Sequence, residues 1–229
     1  MRVVRGRASD PEADREVTAA LLEDAAETGV PALRVWSPHR QLAFGRRDAR
    51  AEGYDAAREA AEVRGYPPVE RSVGGRAVAY TGTTIAFAHA RPVEDMRRGL
   101  NQRYDDAVAT VIRALETVGV NAERGEPPES FCPGAHSVQC NGKIAGIAQR
   151  VRKGAALVSG CILVADHEEI SQVLEPVYAA LSVPFDTESV GSVARAGGVD
   201  DAEKVAWALE DAFVEDRETT VERVEAATG

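Results

Sequence analysis

Four groups of residues in this 229-residue chain are of a type and spacing that could do chemistry. The first is Arg71-Ser-Val-Gly74-Gly75-Arg76-Ala-Val78. A glycine pair between two strand-like runs lets backbone approach a ligand closely and leaves its amides unobstructed, while Arg71 could pair with an anion or fix the loop. A tight turn or bulge would account for the same glycines. No Gly-Lys-Ser/Thr follows, so the segment is not a nucleotide-binding P-loop. The second is Lys143, directly after Asn141-Gly142. A lysine at a strand start could aim its ammonium into a cleft, polarise a carbonyl, or stand beside a thiolate; it could equally be a solvated hairpin lysine. The third is Cys132, in the loop Phe131-Cys132-Pro133-Gly134. A thiolate is a nucleophile, and positive charge nearby favours it. Cys161 lies in an apolar run and reads as core packing. Cys140 rivals Cys132, because a two-residue hairpin would set Cys140 opposite Lys143. Spacing alone does not choose between the two thiols. The fourth is Cys132, His136 and Cys140, spaced C-x3-H-x3-C as three soft zinc ligands. A fourth ligand is not evident, and a strand over 136–140 would leave Cys132 beyond a Pro-Gly turn, so no metal is expected.

Composition narrows the classes. The charge is 27 basic against 37 acidic residues, a net −10, and there is no basic block, which argues against a nucleic-acid binder that works by neutralising phosphates. The basic residues are nearly all arginine, with lysine only at 143, 153 and 204. A lysine kept against so strong a bias draws attention to its amine. No window approaches the roughly 18 apolar residues of a membrane span, and no apolar segment follows the charged start, so neither secretion nor membrane spanning is expected. Three cysteines within one short stretch make a disulfide framework improbable and point to a cytoplasmic thiol protein.

These residues need elements to hold them. Ser9-Asp10-Pro11-Glu12 reads as a capping box opening a helix that Gly29 closes. Strands are expected over 31–36 and 41–44, a helix over 51–64, and short strands over 69–71 and 77–88. The run Leu100 to Val118 carries Ala107, Val108, Val111, Ile112 and Leu115 on one helical stripe. After a loop over 123–134, Asn141-Gly142 marks a hairpin between strands 136–140 and 143–151, since both turn positions of that type need positive φ. A strand over 155–164 follows, then helices over 170–181, 188–196 and 201–226. The fold class expected is α+β, a mainly antiparallel sheet with packed helices. We read 1–229 as a single domain ending in an acidic helix over about 200–227.

In these residues the chain resembles the lipoate-protein ligase A and octanoyltransferase family. The resemblance spans about Pro31 to Ala196. It rests on Ala43-Phe44-Gly45-Arg46, on Arg71 to Val78, and on Asn141-Gly-Lys143-Ile-Ala-Gly-Ile-Ala-Gln149-Arg150. It implies a biotin/lipoate protein ligase-like α+β fold in which Arg71, Gly74 and Gly75 line the acyl and activated-intermediate tunnel. Ala145 and Gly146 would lie in the substrate-binding hairpin, and Lys143 would approach the acyl carbonyl. Val78, Ile85, Ile144 and Ile147 could wall the tunnel, or simply form sheet core.

Departures from the family pattern bear on the subclass. ATP-dependent ligases carry Arg-Asn-Asp before this hairpin, whereas Ala135-His136-Ser137 stands here; Tyr80 replaces a ligase-like histidine; and the chain has no room for the extra C-terminal domain of many ligases. The loop Phe131 to Gly134 looks instead like that of cysteine-dependent octanoyltransferases and amidotransferases. The resemblance then implies that Cys132 takes an octanoyl or lipoyl group as a thioester, with Lys143 stabilising the oxyanion and helping to keep the thiol ionised. A carrier-protein lysine would resolve the thioester to an amide. Implied acceptors are lipoyl-carrier proteins, namely glycine cleavage H protein and the lipoyl domains of 2-oxoacid dehydrogenases. Acyl carrier protein is a further implied donor. No cofactor is then required beyond lipoate or octanoate as the substrate group. The alternatives are a lipoate ligase using ATP and Mg to form lipoyl-AMP, and a non-catalytic acyl-binding module.

Overall fold

The computed structural model describes residues 1–71 and 75–224. Gly74, one of the expected binding glycines, lies outside the described residues. In chain order the elements are β1 (Arg2–Arg5), α1 (Pro11–Thr28), β2 (Ala32–Trp36), β3 (Gln41–Phe44), α2 (Tyr54–Glu62), β4 (Pro68–Glu70), β5 (Val78–Tyr80) and β6 (Thr84–Pro92). Then follow α3 (Leu100–Thr117), β7 (Glu123–Arg124), β8 (Ser137–Gln139), β9 (Lys143–Arg152), β10 (Ala155–Leu163), α4 (His167–Ala180), α5 (Ala202–Val214) and β11 (Thr220–Arg223).

Eight strands form one sheet in the order β11-β1-β2-β6-β10-β9-β8-β7, and β4-β3-β5 form a smaller one. The pairings from β2 through β6, β10, β9 and β8 to β7 are all antiparallel. Among the described strands the parallel pairs are β1 with β2 and β11, and β3 with β4. The expected α+β class with a mainly antiparallel sheet is what the chain forms.

A small apolar cluster seats α1 on the large sheet through Leu21, Leu22 and Ala25, and two larger ones position the rest. One lies between the large sheet and helices α3 and α5, with Leu33, Phe87, Val111, Leu115, Ile144, Ile162 and Leu209 buried in it. The other joins the small sheet to α2 and α4, through Phe44, Tyr66, Phe131, Leu174 and Tyr178. Burial of this kind contributes about 25 cal/mol per Å² of apolar surface. On β2, fully buried Arg34 is tied to Asp14 of α1 by a 2.5 Å ion pair, which fixes that helix to the sheet.

Several local expectations need correction. The cap of α1 is Asp10 rather than Ser9: its carboxylate accepts from the amides of Glu12 and Ala13 and Pro11 opens the helix, while Gly29 closes it at φ 71 as expected. The helix expected over 188–196 is absent. Residues Thr187–Ser189 make a single 3-10 turn, and Val193 and Ala194 donate to the carbonyls of Leu163 and Val164. Those amides are satisfied at the end of β10 instead of within a helix. The acidic C-terminal helix ends at Val214, where Glu215 takes φ 53. The chain then returns as β11 beside β1, a pairing that the charged sequence over Met1 to Arg7 hid although Val3 and Val4 are buried. Residues 225–229 lie outside the description.

Candidate functional site

The glycine-rich segment, the Cys132 loop and the β8–β9 hairpin converge on one place. Cys132 has φ 42, a left-handed conformation that side chains other than glycine rarely adopt. All its backbone polar groups are engaged. The Cys132 N–H donates to the Tyr178 hydroxyl at 2.6 Å, and that hydroxyl donates to the Ala77 carbonyl at 2.9 Å. The Cys132 carbonyl accepts from Lys143 Nζ at 2.9 Å, and so does the Phe131 carbonyl at 3.0 Å. The peptide unit that precedes the thiol is therefore held at both ends, by α4 on its N–H and by β9 on its C=O.

The sulfur faces the glycine segment. Arg76 N–H donates to Cys132 Sγ at 3.3 Å. Gly75 sits at φ 96, so close that a Cβ placed there would lie 2.9 Å from Sγ and 3.5 Å from Arg71 Nη2. Arg71 donates to the Arg76 carbonyl at 2.5 Å. Fully buried Asp48 holds the Arg76 side chain at 3.1 Å and accepts from the Gly45 N–H at 3.1 Å. The Gly45 of Ala43-Phe44-Gly45-Arg46 has a packing cause, since a Cβ there would fall 2.0 Å from the Gly75 carbonyl. Arg71 also faces Cys161 and the phenol of Tyr80. Burial pushes the Cys161 thiol up to about 11, Arg71 opposing, so that sulfur stays protonated in the core. Burial likewise raises the Tyr80 and Tyr178 phenols well above their ordinary range, which keeps both as neutral hydroxyls.

Lys143 is fully buried. Its Nζ contacts Glu126 Oε1 at 3.0 Å and Oε2 at 3.1 Å besides the two carbonyls, and lies 5.0 Å from the Phe131 ring centre. Three N–H donors thus face four acceptors. A role for this ammonium at an acyl oxygen requires one of those acceptors to yield its place. Glu126 was not found from the sequence; its position between Gly125 and Pro127 in a loop offered no periodic or motif signal.

The remaining candidates fall elsewhere. Cys140 does not face Lys143. A register shift sets Gln139 opposite Lys143, because the turn is packed against Val190-Gly191: the Gly191 N–H donates to the Lys143 carbonyl at 3.0 Å, and a Cβ on Gly142 would meet the Gly191 nitrogen at 2.6 Å. Asn141 and Gly142 do take the positive φ expected of them, 51 and 108. Cys140 and Ala145 pack in the cluster beneath α3 and α5, whereas Cys132 packs in the one beneath α2 and α4. Gly146 pairs with Cys161 and Ser137, and a Cβ on it would touch Lys143 Cε at 3.5 Å. Of the four expected tunnel residues, Val78 shares the Cys132 cluster, while Ile85, Ile144 and Ile147 belong to the other. His136 stacks on Tyr104 at 3.6 Å, and its Nδ1 meets Arg124 at 2.8 Å. Among the described residues no three His, Cys, Asp or Glu side chains could hold a metal ion, and no helix is long and apolar enough to cross a membrane.

What this arrangement can do is present a thiol to an electrophilic carbonyl beside backbone amides and a guanidinium, which is the equipment of acyl transfer through a thioester. An octanoyl-[GcvH]:protein N-octanoyltransferase of Kyrpidia tusciae is 36% identical over 133 residues, 56% of this chain and 45% of that protein. The enzyme of the same name from Lysinibacillus sphaericus is 30% identical over 129 residues, 56% of this chain and 46% of its own. The chain is thus matched to about half the length of these curated relatives. Among solved structures, a lipoate-protein ligase A bound with ATP superposes with TM-score 0.79 at 21% identity, covering 98% of this chain and 89% of that one. A protein of Thermoplasma acidophilum with bound lipoic acid gives 0.69 at 20%, with the same coverage. At those identities the likeness is one of fold. The lipoyl protein ligase A/B catalytic domain model matches residues 10–214, and the chain belongs to that family.

Proposed function

We propose that this protein is an acyltransferase of protein lipoylation, moving an octanoyl or lipoyl group through a Cys132 thioester to a lysine of a lipoyl-carrier domain. The observation that carries the proposal is the Cys132 sulfur, held against the Arg76 amide and Gly75 by a loop whose carbonyls are tied to Lys143. The names of the relatives, which specify octanoyl-GcvH as donor and protein as acceptor, favour an acyl-lysine donor on glycine cleavage H protein over an acyl carrier protein thioester.

Cys132 thiolate attacks the donor carbonyl carbon, the tetrahedral oxyanion is met by N–H donors of Gly75, Arg76 or Arg71, and the donor lysine leaves as an amine after taking up a proton. An acceptor lysine amine then attacks the thioester, the C–S bond breaks, and the amine gives up its proton as the thiolate returns. Amide to thioester is uphill and thioester to amide is downhill, so the exchange is close to balanced and needs no nucleotide. ATP and Mg would enter only if the chain were a ligase. Substrates of this kind and a thiol that must stay reduced suit a cytoplasmic enzyme.

The test is to incubate the protein with octanoylated glycine cleavage H protein, or octanoyl-acyl carrier protein, without ATP, and weigh it intact. The expected result is an octanoyl adduct that hydroxylamine removes, absent in Cys132→Ala and retained in Cys140→Ala and Cys161→Ala. Transfer surviving in Cys132→Ala would sink the thioester mechanism. Formation of lipoyl-AMP from lipoate, ATP and Mg would instead establish a ligase.

A further inference from the structure

Glu126 is the hub beneath the thiol loop. Among the described residues its carboxylate bonds to donors alone: Lys143 Nζ on both oxygens, the Gly134 N–H at 3.2 Å on Oε2, and the hydroxyls of Ser130 and Ser137. These donors bracket Cys132, with Ser130 and Gly134 two residues to either side and Lys143 on its own carbonyl. The Lys143 ammonium is fully buried, and a buried charge persists only with a counter-charge and full hydrogen bonding. Glu126 is the carboxylate that supplies both. Among the described residues it is the only carboxylate on that ammonium, so it keeps Lys143 on the Phe131 and Cys132 carbonyls and supports Cys132 at φ 42 from below.

We propose that Glu126 is the positioning residue of the nucleophile, acting through Lys143 and the Ser130–Ser137 loop to place the Cys132 sulfur against the Arg76 amide. This rests on the reading of Cys132 as nucleophile given above. Among the described residues, Glu126 touches neither Sγ nor Gly75 or Arg76 in its hydrogen bonds, so its effect is on the rate of attack rather than on donor binding. Glutamine is a severe probe despite its shape, because its amide would turn an NH2 toward a site occupied by donors.

The experiment measures two rates in wild type, Glu126→Gln and Ser137→Ala: alkylation of Cys132 by iodoacetamide, followed by peptide mass, and acylation by octanoylated glycine cleavage H protein. In Glu126→Gln both rates fall together by about tenfold or more, with KM for the donor unchanged, as expected when a reacting atom is displaced by a fraction of an ångström. Ser137→Ala keeps the charge and removes one donor, so both rates fall about two- to fivefold. Folded Glu126→Gln reacting at wild-type rates overturns the proposal, and so does a raised KM with unchanged kcat. If Glu126→Gln does not fold, Ser137→Ala decides, and unchanged rates there overturn it. Alkylation needs no acyl donor. Failure of the transferase function would therefore show as absent acylation in wild type, with the alkylation comparison still intact.

Discussion

Replacing Gly75 with alanine adds one methyl group at the point where the thiol, the glycine segment and Arg71 meet. The new Cβ would lie 2.9 Å from Cys132 Sγ, about 0.6–1.1 Å inside the usual resting separation of roughly 3.5–4.0 Å between non-bonded carbon atoms. Gly75 itself is held from behind, since its carbonyl lies against Gly45. The sulfur must therefore retreat, and its 3.3 Å contact with the Arg76 N–H lengthens and weakens. A displacement of this size at a reacting atom costs up to about a hundredfold in rate, so thioester formation falls by roughly 10- to 100-fold. The substitution also forces alanine to φ 96, a strain of about 1–2 kcal/mol, or some 2–8 °C in Tm for a chain of this size. Gly197→Ala separates the two effects. Gly197 has φ 89 and nothing within 4 Å of its added Cβ, so it carries the same strain without the contact. The assay is a quenched time course of acyl-Cys132 by intact mass, with thermal melts run in parallel. Gly75→Ala acylating within twofold of wild type, or Gly197→Ala losing as much activity, would refute the steric reasoning.

Two further perturbations follow from the same geometry. Tyr178→Phe deletes the hydroxyl between the Cys132 N–H and the Ala77 carbonyl. Leaving those groups unpaired costs about 1–3 kcal/mol, measurable by urea unfolding, and iodoacetamide labelling of Cys132 slows with it; wild-type stability would contradict the clamp. Burial, reinforced by Arg91 and Arg217, pushes the His89 imidazole down to about 3, against an ordinary 6.5. The unfolded chain then binds the extra proton between those values. Stability from this group is complete above about pH 6.5 and declines toward pH 3 by up to about 1.4 kcal/mol per pH unit. In His89→Gln the stability–pH curve is flatter over that window, and an unchanged slope would show that His89 is not the source.

The sequence alone carried the elements whose signals are local. The stripe on α3, the Gly29 stop of α1, and the positive φ of Asn141 and Gly142 depend on neighbours within a few residues, and all appear where they are expected, whereas the strand expected over 77–88 is divided between the two sheets as β5 and β6. The Cys132 loop stands out in the sequence too, because a cysteine beside proline and glycine is out of place as core filler. What only the tertiary structure decided depends on residues far apart in the chain. Nothing local marks β11 as the parallel neighbour of β1, more than two hundred residues away, or turns 188–196 from a helical pattern into a run of turns tied to the end of β10. The choice between two thiols for the Lys143 ammonium was of the same kind. A one-residue register shift, imposed by Gly191 against the hairpin turn, puts Gln139 and not Cys140 across from Lys143. The ammonium instead meets the Phe131 and Cys132 carbonyls and Glu126. Side-chain type and spacing can nominate a nucleophile and a cation. Which groups a buried charge will accept as partners is settled by packing, because desolvation leaves it no place except where acceptors have been gathered around it.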